Sequence, residues 1–319
     1  MPIVDMPLAE LKKYMGSSPC PADIDRYWDD ALAEMDALEH NAKFTKVSFT
    51  SKGAEYYDLY FTGTKGARIH AKFAKPENID GKIPAVLMFH GLAGSSEDWT
   101  NLTSYASQGY CVAFLDARGQ GGYSEDAGGV TGTTYTTPFI RGLDGDKHDL
   151  PAREQFLDTA LLAKIIMELE YVDENRVGVT GGSQGGALSV ACAALQPKIK
   201  LCAAVYPYLS DYKRIWDMDL AKGAYDGISY YFRHFDPRHE REDEIFEKLG
   251  YIDLQNIAKR IKAEVLMFTG LMDTTCPPST QFAIYNKIIS KKNVVIYPDY
   301  GHEGLKGSSD IIFEFLSKL

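Results

Sequence analysis

One stretch decides the fold of this 319-residue chain: Arg176-Val177-Gly178-Val179-Thr180-Gly181-Gly182-Ser183-Gln184-Gly185-Gly186. Residues 176–180 predict a buried strand, and residues 184–195 predict a helix. The serine between them stands in the pattern G-x-S-x-G, which is typical of a nucleophile on a sharp strand-to-helix turn. Small neighbours suit such a turn because the chain approaches itself closely there. The alternatives are a plain glycine-rich turn or a phosphate-binding loop, which the absence of a following lysine disfavours.

Strands and helices alternate on both sides of this turn. Continuous apolar strands separated by amphipathic helices indicate a mostly parallel sheet that is covered on both faces, a doubly wound α/β fold. Ligands of such sheets bind outside the carboxyl ends of the strands. The predicted strands are 85–89, 110–115, 176–180, 201–205, 264–268 and 293–297, and the predicted helices are 97–108, 153–170, 184–195, 281–289 and 310–316.

The remaining segments complete one predicted α/β domain over residues 1–319. Residues 1–40 predict an N-terminal helical extension, in which Ile24, Trp28, Leu32 and Met35 share one face of a helix. Residues 45–75 alternate and predict antiparallel strands that lead into the sheet. Residues 116–150 predict a long ordered loop, and residues 207–260 predict a helical, aromatic insertion. Long segments of this kind inside a compact domain usually carry function.

The composition excludes several classes of protein. The chain carries 34 basic and 44 acidic residues, a net charge of −10, so nucleic acid and anionic membranes are poor partners. Hydrophobic residues make up 45%, enough for a full core, and no apolar run reaches the roughly 18 residues of a membrane span. The N-terminus does not have the pattern of a signal peptide, and the five cysteines are scattered. We therefore expect a cytoplasmic protein with reduced thiols.

A serine hydroxyl needs a base, and the base needs an orienting acid. In α/β-hydrolase sequences the order along the chain is serine, then acid, then histidine. His302 follows the strand 293–297 and is the expected base, whereas the other two downstream histidines lie in the insertion. Asp273 follows the strand 264–268 and is the expected acid. Asp299 is the alternative acid, although it is close to His302 in sequence.

Two backbone N–H groups are expected to form an oxyanion hole beside the serine. One belongs to Gln184, the residue after the nucleophile, and the other to Leu92, in the loop that follows strand 85–89. His90 begins this loop and is expected to support it rather than to act as a base. No metal or cofactor is expected, because the chain has no H-E-x-x-H motif, and residues 119–122 do not have the spacing of a dinucleotide site.

Four motifs in order give the chain a family resemblance. Arg118-Gly119-Gln120, the serine motif, Leu271–Thr280 and His302-Glu303 resemble the signatures and acid loop of carbohydrate esterase family seven, the acetyl xylan esterases and cephalosporin C deacetylases. The resemblance implies an α/β-hydrolase fold and serine-dependent removal of acetyl groups from short acetylated sugars and from cephalosporin C. It also implies an intracellular homo-oligomer, often a hexamer built as a dimer of trimers. Arg118, Gln120 and Glu303 are expected to support the site.

The oxyanion loop departs from the family pattern. The family usually has His-Gly-Tyr where this chain has His90-Gly91-Leu92, which keeps the backbone donor but removes an aromatic wall of the acyl pocket. Nine aromatic residues lie between 206 and 235, and Tyr208 with Pro207 is expected to line the substrate pocket near Ser183. The alternatives are a hydrolase of other small esters, lactones or peptides, or a hydrolase scaffold that only binds a ligand.

Overall fold

A computed structural model of the protein describes residues 4–127 and 138–319. Its strands are β1 (Lys43–Lys46), β2 (Ala54–Thr62), β3 (Arg68–Pro76), β4 (Ile83–Phe89), β5 (Cys111–Leu115), β6 (Val172–Gly182), β7 (Leu201–Val205), β8 (Glu264–Gly270) and β9 (Lys292–Tyr297). Among the described residues they form one sheet in the order β1-β2-β3-β5-β4-β6-β7-β8-β9. The pairs β1–β2, β2–β3 and β3–β5 are antiparallel. The remaining pairs, from β5–β4 through β4–β6 to β8–β9, are parallel. The predicted mostly parallel sheet, with antiparallel strands that lead into it, is confirmed.

Helices cover both faces of this sheet. They are α1 (Leu8–Leu11), α2 (Ile24–Asp36), α3 (Thr100–Ala106), α4 (Pro151–Met167), α5 (Gln184–Leu195), α6 (Tyr212–Asp217), α7 (Asp226–Phe235), α8 (Glu242–Gly250), α9 (Leu254–Ile257), α10 (Pro278–Lys287) and α11 (Ser308–Leu316). The predicted extension over residues 1–40 holds α1 and α2, and the predicted insertion over 207–260 holds α6 to α9. Of the predicted loop 116–150, residues 128–137 lie outside the described part.

Alternation along the strands separates two apolar cores. In β4, Leu87 packs in the larger core with Phe156 of α4, and its neighbour Val86 packs in the smaller core with Leu102 of α3. Successive side chains of a strand point to opposite faces, so a strand that is apolar throughout can serve both cores. The two cores hold the strands rigidly, and the loops at their carboxyl ends therefore start from fixed positions.

Element boundaries differ from the predictions where distant residues intervene. The helix predicted at 281–289 begins earlier, at Pro278, because Asp5 from the N-terminal segment accepts a hydrogen bond of 2.7 Å from the Ser279 N–H. The helix predicted at 97–108 is limited to Thr100–Ala106, and Gly109 with a φ of +93° turns the chain into β5. A cap supplied by a residue far away in the chain cannot be recognised from the local pattern.

Candidate active site

Ser183 lies on a strained turn between β6 and α5. Its φ of +57° is in the left-handed region, which a serine adopts only when the surrounding structure imposes it. Its N–H donates to the Val205 carbonyl at 3.0 Å, so the neighbouring strand β7 fixes the turn. Glycines make the turn possible. A Cβ on Gly181 would lie 2.5 Å from the Phe89 carbonyl oxygen, and a Cβ on Gly185 would lie 2.0 Å from the same atom.

The structure brings Ser183, His302 and Asp273 together in one hydrogen-bonded row. The His302 Nε2 lies 2.9 Å from the Ser183 Oγ, and the His302 Nδ1 lies 2.8 Å from the Asp273 Oδ2. Asp273 is fully buried, whereas the His302 side chain keeps 22% of its surface exposed. The alternative acid, Asp299, is exposed. This is the geometry of a nucleophile, a base and an orienting acid.

Backbone N–H groups hold the carboxylate of Asp273. Its Oδ1 accepts hydrogen bonds of 2.8 Å from the N–H of Thr275 and of Cys276, which close a tight turn after β8. The acid loop also contacts the base loop, because the Met272 N–H donates to the Tyr300 carbonyl at 2.9 Å. With its Oδ1 occupied in this way, the aspartate presents Oδ2 to His302 and fixes the orientation of the imidazole ring.

Two backbone donors lie in the loops beside the serine. Gln184 is the first residue of α5, and the N–H of a first helical residue has no acceptor within the helix. The N–H of Leu92 donates to no acceptor in the described part of the chain. The loop that carries Leu92 approaches the serine turn: a Cβ on Gly91 would lie 4.0 Å from the Gly182 carbonyl oxygen. The structure thus places two backbone donors in the two segments that meet at the serine turn.

A neutral His90 supports the Leu92 loop. Its Nε2 accepts a hydrogen bond of 2.9 Å from the Ala117 N–H, which requires that nitrogen to be unprotonated. Its Nδ1 then donates to the Gly91 carbonyl at 2.7 Å. Burial lowers the pKa of His90, which favours the same neutral form. His90 thus ties the loop after β4 to the loop after β5.

Asp116, the residue directly after β5, joins the same two loops through its carboxylate. Its carboxylate accepts hydrogen bonds from the Ser96 N–H, from the Tyr123 N–H at 2.9 Å and from the His70 Nδ1 at 2.7 Å. Burial alone would raise the pKa of Asp116, but these hydrogen bonds outweigh it and lower that pKa to about 2. The carboxylate is therefore ionised at neutral pH and fixes the shape of both loops.

Arg118 anchors the loop after β5 to the body of the protein. Its guanidinium forms a bidentate pair with Asp158 of α4, in which the Arg118 Nη2 lies 2.8 Å from the Asp158 Oδ1. It also donates to the Thr64 carbonyl at 3.1 Å and to the Thr64 hydroxyl at 2.9 Å. Both members of the ion pair are almost fully buried. Because these bonds hold the Arg118 guanidinium within the protein, we assign Arg118 a structural role rather than contact with a substrate.

The other predicted support residues also lie around the site. The Gln120 side chain reaches the side chain of Gln184. The Glu303 Oε1 accepts from the Gly301 N–H at 3.0 Å and so braces the His302 loop. Pro207, which is expected to line the substrate pocket with Tyr208, is instead buried against the start of α5, where a Cβ on Gly186 would meet its Cα at 3.2 Å.

The structure does not bring the Tyr208 side chain to the surface of a pocket. Its ring is buried, lies 4.5 Å from the Tyr225 ring between centroids, and its hydroxyl donates to the Ala224 carbonyl. Only its backbone reaches the site, since its N–H donates to the Ser183 carbonyl at 3.1 Å. The ring serves the core because the chain turns twice after β7, with a φ of +32° at Tyr206 and +59° at Leu209.

Two residues that the sequence did not single out lie at the site. The ring of Tyr206 covers His302, with 4.6 Å between ring centroids. The thiol of Cys276 is buried, and burial raises its pKa well above the ordinary value, although its interaction with Ser183 acts in the opposite direction. Tyr206 is the first residue after β7, at the carboxyl edge of the sheet, and that position was the signal that could have identified it.

Chemically, the arrangement can activate a hydroxyl and stabilise an oxyanion. No group of three or more His, Cys, Asp or Glu side chains in residues 4–127 and 138–319 could hold a metal ion. The same residues include no helix long and apolar enough to cross a membrane.

A serine on this turn, with its histidine and aspartate on later loops of a mostly parallel sheet, defines an α/β hydrolase.

Comparison with known proteins identifies the family. The chain belongs to the acetyl xylan esterase (AXE1) family of carboxylic ester hydrolases, whose model matches residues 1–319. Acetyl xylan esterase 1 from Thermoanaerobacterium sp. JW/SL YS485 is 55% identical, with a TM-score of 0.97 over 98% of this chain and 99% of that one. The acetyl xylan esterase from Paenibacillus sp. R4 is 34% identical, with a TM-score of 0.93 and the same coverage.

A curated relative is longer than this chain. Acetyl esterase Axe7A from Xylanibacter ruminicola is 28% identical over 288 residues, which are 88% of this chain but only 63% of the relative. The protein therefore spans less than two thirds of the length of the curated relatives that it matches.

Proposed function

We propose that the protein is a serine esterase that removes acetyl groups by way of an acetyl-enzyme. The observation that carries this proposal is the hydrogen-bonded row from Ser183 through His302 to the buried Asp273. Membership of the acetyl xylan esterase family supports the acetyl ester as the substrate class.

In the first half of the reaction, the His302 Nε2 takes the proton of the Ser183 hydroxyl as its oxygen attacks the acetyl carbonyl carbon. The N–H groups of Gln184 and Leu92 stabilise the negative charge that develops on the carbonyl oxygen. The C–O bond to the alcohol then breaks, and the imidazolium of His302 protonates the leaving alkoxide. Asp273 keeps the ring in position and stabilises its positive charge without taking the proton.

In the second half, water replaces the alcohol. His302 takes a proton from the water as the water oxygen attacks the carbonyl carbon of the acetyl-enzyme. The bond from that carbon to the Ser183 Oγ then breaks, and the imidazolium of His302 returns its proton to the Oγ. Acetic acid leaves and ionises to acetate. The protein carries a net charge of −10, so its surface does not retain the anionic product. A neutral acetylated sugar needs no electrostatic steering to reach the site.

The substrates that we propose are short acetylated xylo-oligosaccharides and related acetyl esters, including cephalosporin C. Leu92 stands where the family usually has tyrosine, and its side chain is partly buried against the main core. The exchange leaves the backbone donor in place and removes one aromatic side chain near the acyl group. We therefore expect a broader acyl preference than an aromatic wall would allow.

Replacement of the nucleophile tests the mechanism. Ser183→Ala should reduce hydrolysis of 4-nitrophenyl acetate by about 10⁴-fold or more, because the oxyanion donors alone leave only a small residual rate. Ser317→Ala, at an exposed helix end, is the matched control and should retain wild-type activity. A fluorophosphonate probe should label the wild type and the control but not Ser183→Ala. Activity of Ser183→Ala within about tenfold of the wild type would refute the proposal.

Substrate comparison tests the acyl and alcohol specificity. Acetate release from acetylated xylo-oligosaccharides and from cephalosporin C should exceed the hydrolysis of butyryl esters, lactones and peptides. Faster cleavage of peptides would make the protein a peptidase on the same fold, and a protein that no probe labels would be a binding scaffold. The expected homo-oligomer, a hexamer, rests on the family resemblance alone, and mass measurement in solution tests it.

A further inference from the structure

The side chain of Gln120 connects the two loops that carry the oxyanion donors. Its Oε1 accepts a hydrogen bond of 2.8 Å from the Ala93 N–H and another of 2.9 Å from the Gln184 Nε2. Its Nε2 donates at 2.9 Å to the Gln184 Oε1. The two glutamine amides therefore pair edge to edge through two reciprocal hydrogen bonds, and the remaining acceptor site of the Gln120 Oε1 binds the loop after β4.

Each partner of Gln120 lies next to an oxyanion donor. Ala93 follows Leu92 directly, so a hydrogen bond to the Ala93 N–H restrains the peptide beside the Leu92 donor. Gln184 carries the second donor on its own backbone, and its side chain is almost fully buried. The two donors come from separate segments, the loop after β4 and the start of α5. Some element must therefore fix the distance between them.

The Leu92 loop needs such an external anchor. Ala93 has a φ of +61°, a left-handed conformation that an alanine adopts only when neighbouring groups impose it. The loop of Gln120 contacts it a second time, because the Gly121 N–H donates to the Gly94 carbonyl at 2.9 Å. Gln120 itself follows Arg118, whose buried ion pair with Asp158 gives its loop a rigid base.

We propose that Gln120 is a positioning residue, which sets the separation of the Leu92 and Gln184 N–H groups through its amide pair with Gln184 and its bond to Ala93. This inference rests on the proposed function, since it assigns a role in stabilising the oxyanion of the acetyl transfer. Gln120 itself does not touch the substrate. Loss of the Gln120 side chain misplaces the Leu92 and Gln184 N–H groups. Because these groups stabilise the transition state more than the bound substrate, kcat falls and KM changes little.

Gln120→Met tests the inference with little change of volume, because methionine fills the same space without a donor or an oxygen acceptor. We expect kcat for 4-nitrophenyl acetate to fall by about 10- to 100-fold and KM to stay within about threefold. Rates are expressed per active site, counted by titration with a fluorophosphonate, so that a merely structural loss of folded protein does not lower them. A kcat per site within about twofold of the wild type overturns the inference.

Gln120→Glu provides a second variant, whose pH profile separates positioning from packing. At neutral pH its carboxylate still accepts from Ala93 but cannot donate to the Gln184 Oε1, so kcat should fall. At lower pH the protonated acid regains a donor, and the ratio of variant to wild-type kcat should rise. A ratio of variant to wild-type kcat that stays close to one at every pH contradicts the inference. A ratio that is below one but does not change with pH contradicts it as well.

A double variant tests the amide pair directly. If the two side chains act as a unit, the double variant Gln120→Ala/Gln184→Ala should have the same kcat as the more impaired single variant. A double variant whose loss of kcat equals the product of the two single losses would overturn the pairing.

Failure of the proposed function is distinguishable from failure of this inference. The first appears as an active Ser183→Ala protein or an unlabelled wild type, and the second as a labelled Gln120→Met enzyme with normal kcat.

Discussion

The glycines around Ser183 differ sharply in the space that they leave for a methyl group. A Cβ on Gly185 would lie 2.0 Å from the Phe89 carbonyl oxygen and 3.2 Å from the His90 carbonyl oxygen, where ordinary contact begins at 3.4 Å. The atoms nearest to a Cβ on Gly182, on the other side of the serine, would be those of the Tyr206 side chain, at 3.6 Å or more. We therefore expect Gly185→Ala to disrupt the turn and Gly182→Ala to be accommodated.

The loss of unfolding free energy in Gly185→Ala depends on which atoms must move to make room for the methyl group. The atoms that oppose a Cβ at Gly185 belong to the backbone at the end of β4, which cannot rotate away as a flexible side chain can. Overpacking of this kind costs about 1–3 kcal/mol, and a backbone clash falls at the upper end. The gain in helix propensity on replacing glycine by alanine offsets about 1 kcal/mol. We expect Gly185→Ala to lose about 2 kcal/mol of unfolding free energy or more, and Gly182→Ala to stay within about 0.5 kcal/mol.

Urea unfolding at one fixed protein concentration measures both variants, so that any contribution of self-association to stability is compared at the same concentration. Hydrolysis of 4-nitrophenyl acetate gives a second readout. Displacement of Phe89 and His90 moves the loop that carries the proposed oxyanion donor Leu92, so the surviving Gly185→Ala protein should also lose about 10-fold or more in kcat. Equal urea midpoints and equal kcat for Gly185→Ala and Gly182→Ala would refute the argument from close approach.

Three further predictions concern the residues that hold the site. Arg118→Met leaves the buried Asp158 without its partner and should lower the unfolding free energy in urea by about 3–5 kcal/mol. The double variant Arg118→Met/Asp158→Leu should recover most of that loss. A double variant as unstable as Arg118→Met would contradict the account of a buried ion pair. Asp116 has a folded-state pKa of about 2 against an ordinary value of 3.8. This difference in pKa corresponds to about 2 kcal/mol of stability, which is present above pH ~4 and is lost as the pH falls towards 2. Asp116→Asn should therefore be less stable than the wild type at pH 7, and the difference in unfolding free energy between the two proteins should disappear in acid. Tyr206→Ala should lower kcat by about 10-fold because it frees one face of His302, while Tyr206→Phe keeps the ring and should retain activity; equal losses would point to the hydroxyl instead.

The sequence predicted the elements and the order of the site well because both depend on local patterns. Apolar runs of strand length gave the parallel strands, and the strand end before Ser183 indicated the turn. The position of Asp273 and His302 after later strands also follows from the chain, since parallel strands place their carboxyl ends at one edge. These inferences required only periodicity and the connectivity of the fold.

The choice between Tyr206 and Tyr208 could not be made in the same way. Both follow β7 within three residues, and alternation along an extended chain would have put both rings on one side. The left-handed φ of +32° at Tyr206 breaks that alternation, so Tyr206 covers His302 and Tyr208 enters the core. Strained backbone of this kind is imposed by packing from distant elements, and a local pattern does not reveal it.

By itself, the sequence determined the α/β class, the strained serine turn and the order of Ser183, Asp273 and His302 along the chain. Only the tertiary structure decided which side chains support them. Gln120 and Gln184 are 64 residues apart, and the Tyr14 hydroxyl that donates to Asp211 is 197 residues from it. Hydrogen bonds depend on distances of about 3 Å and on direction, and these are fixed only when the two cores have positioned the loops at the sheet edge.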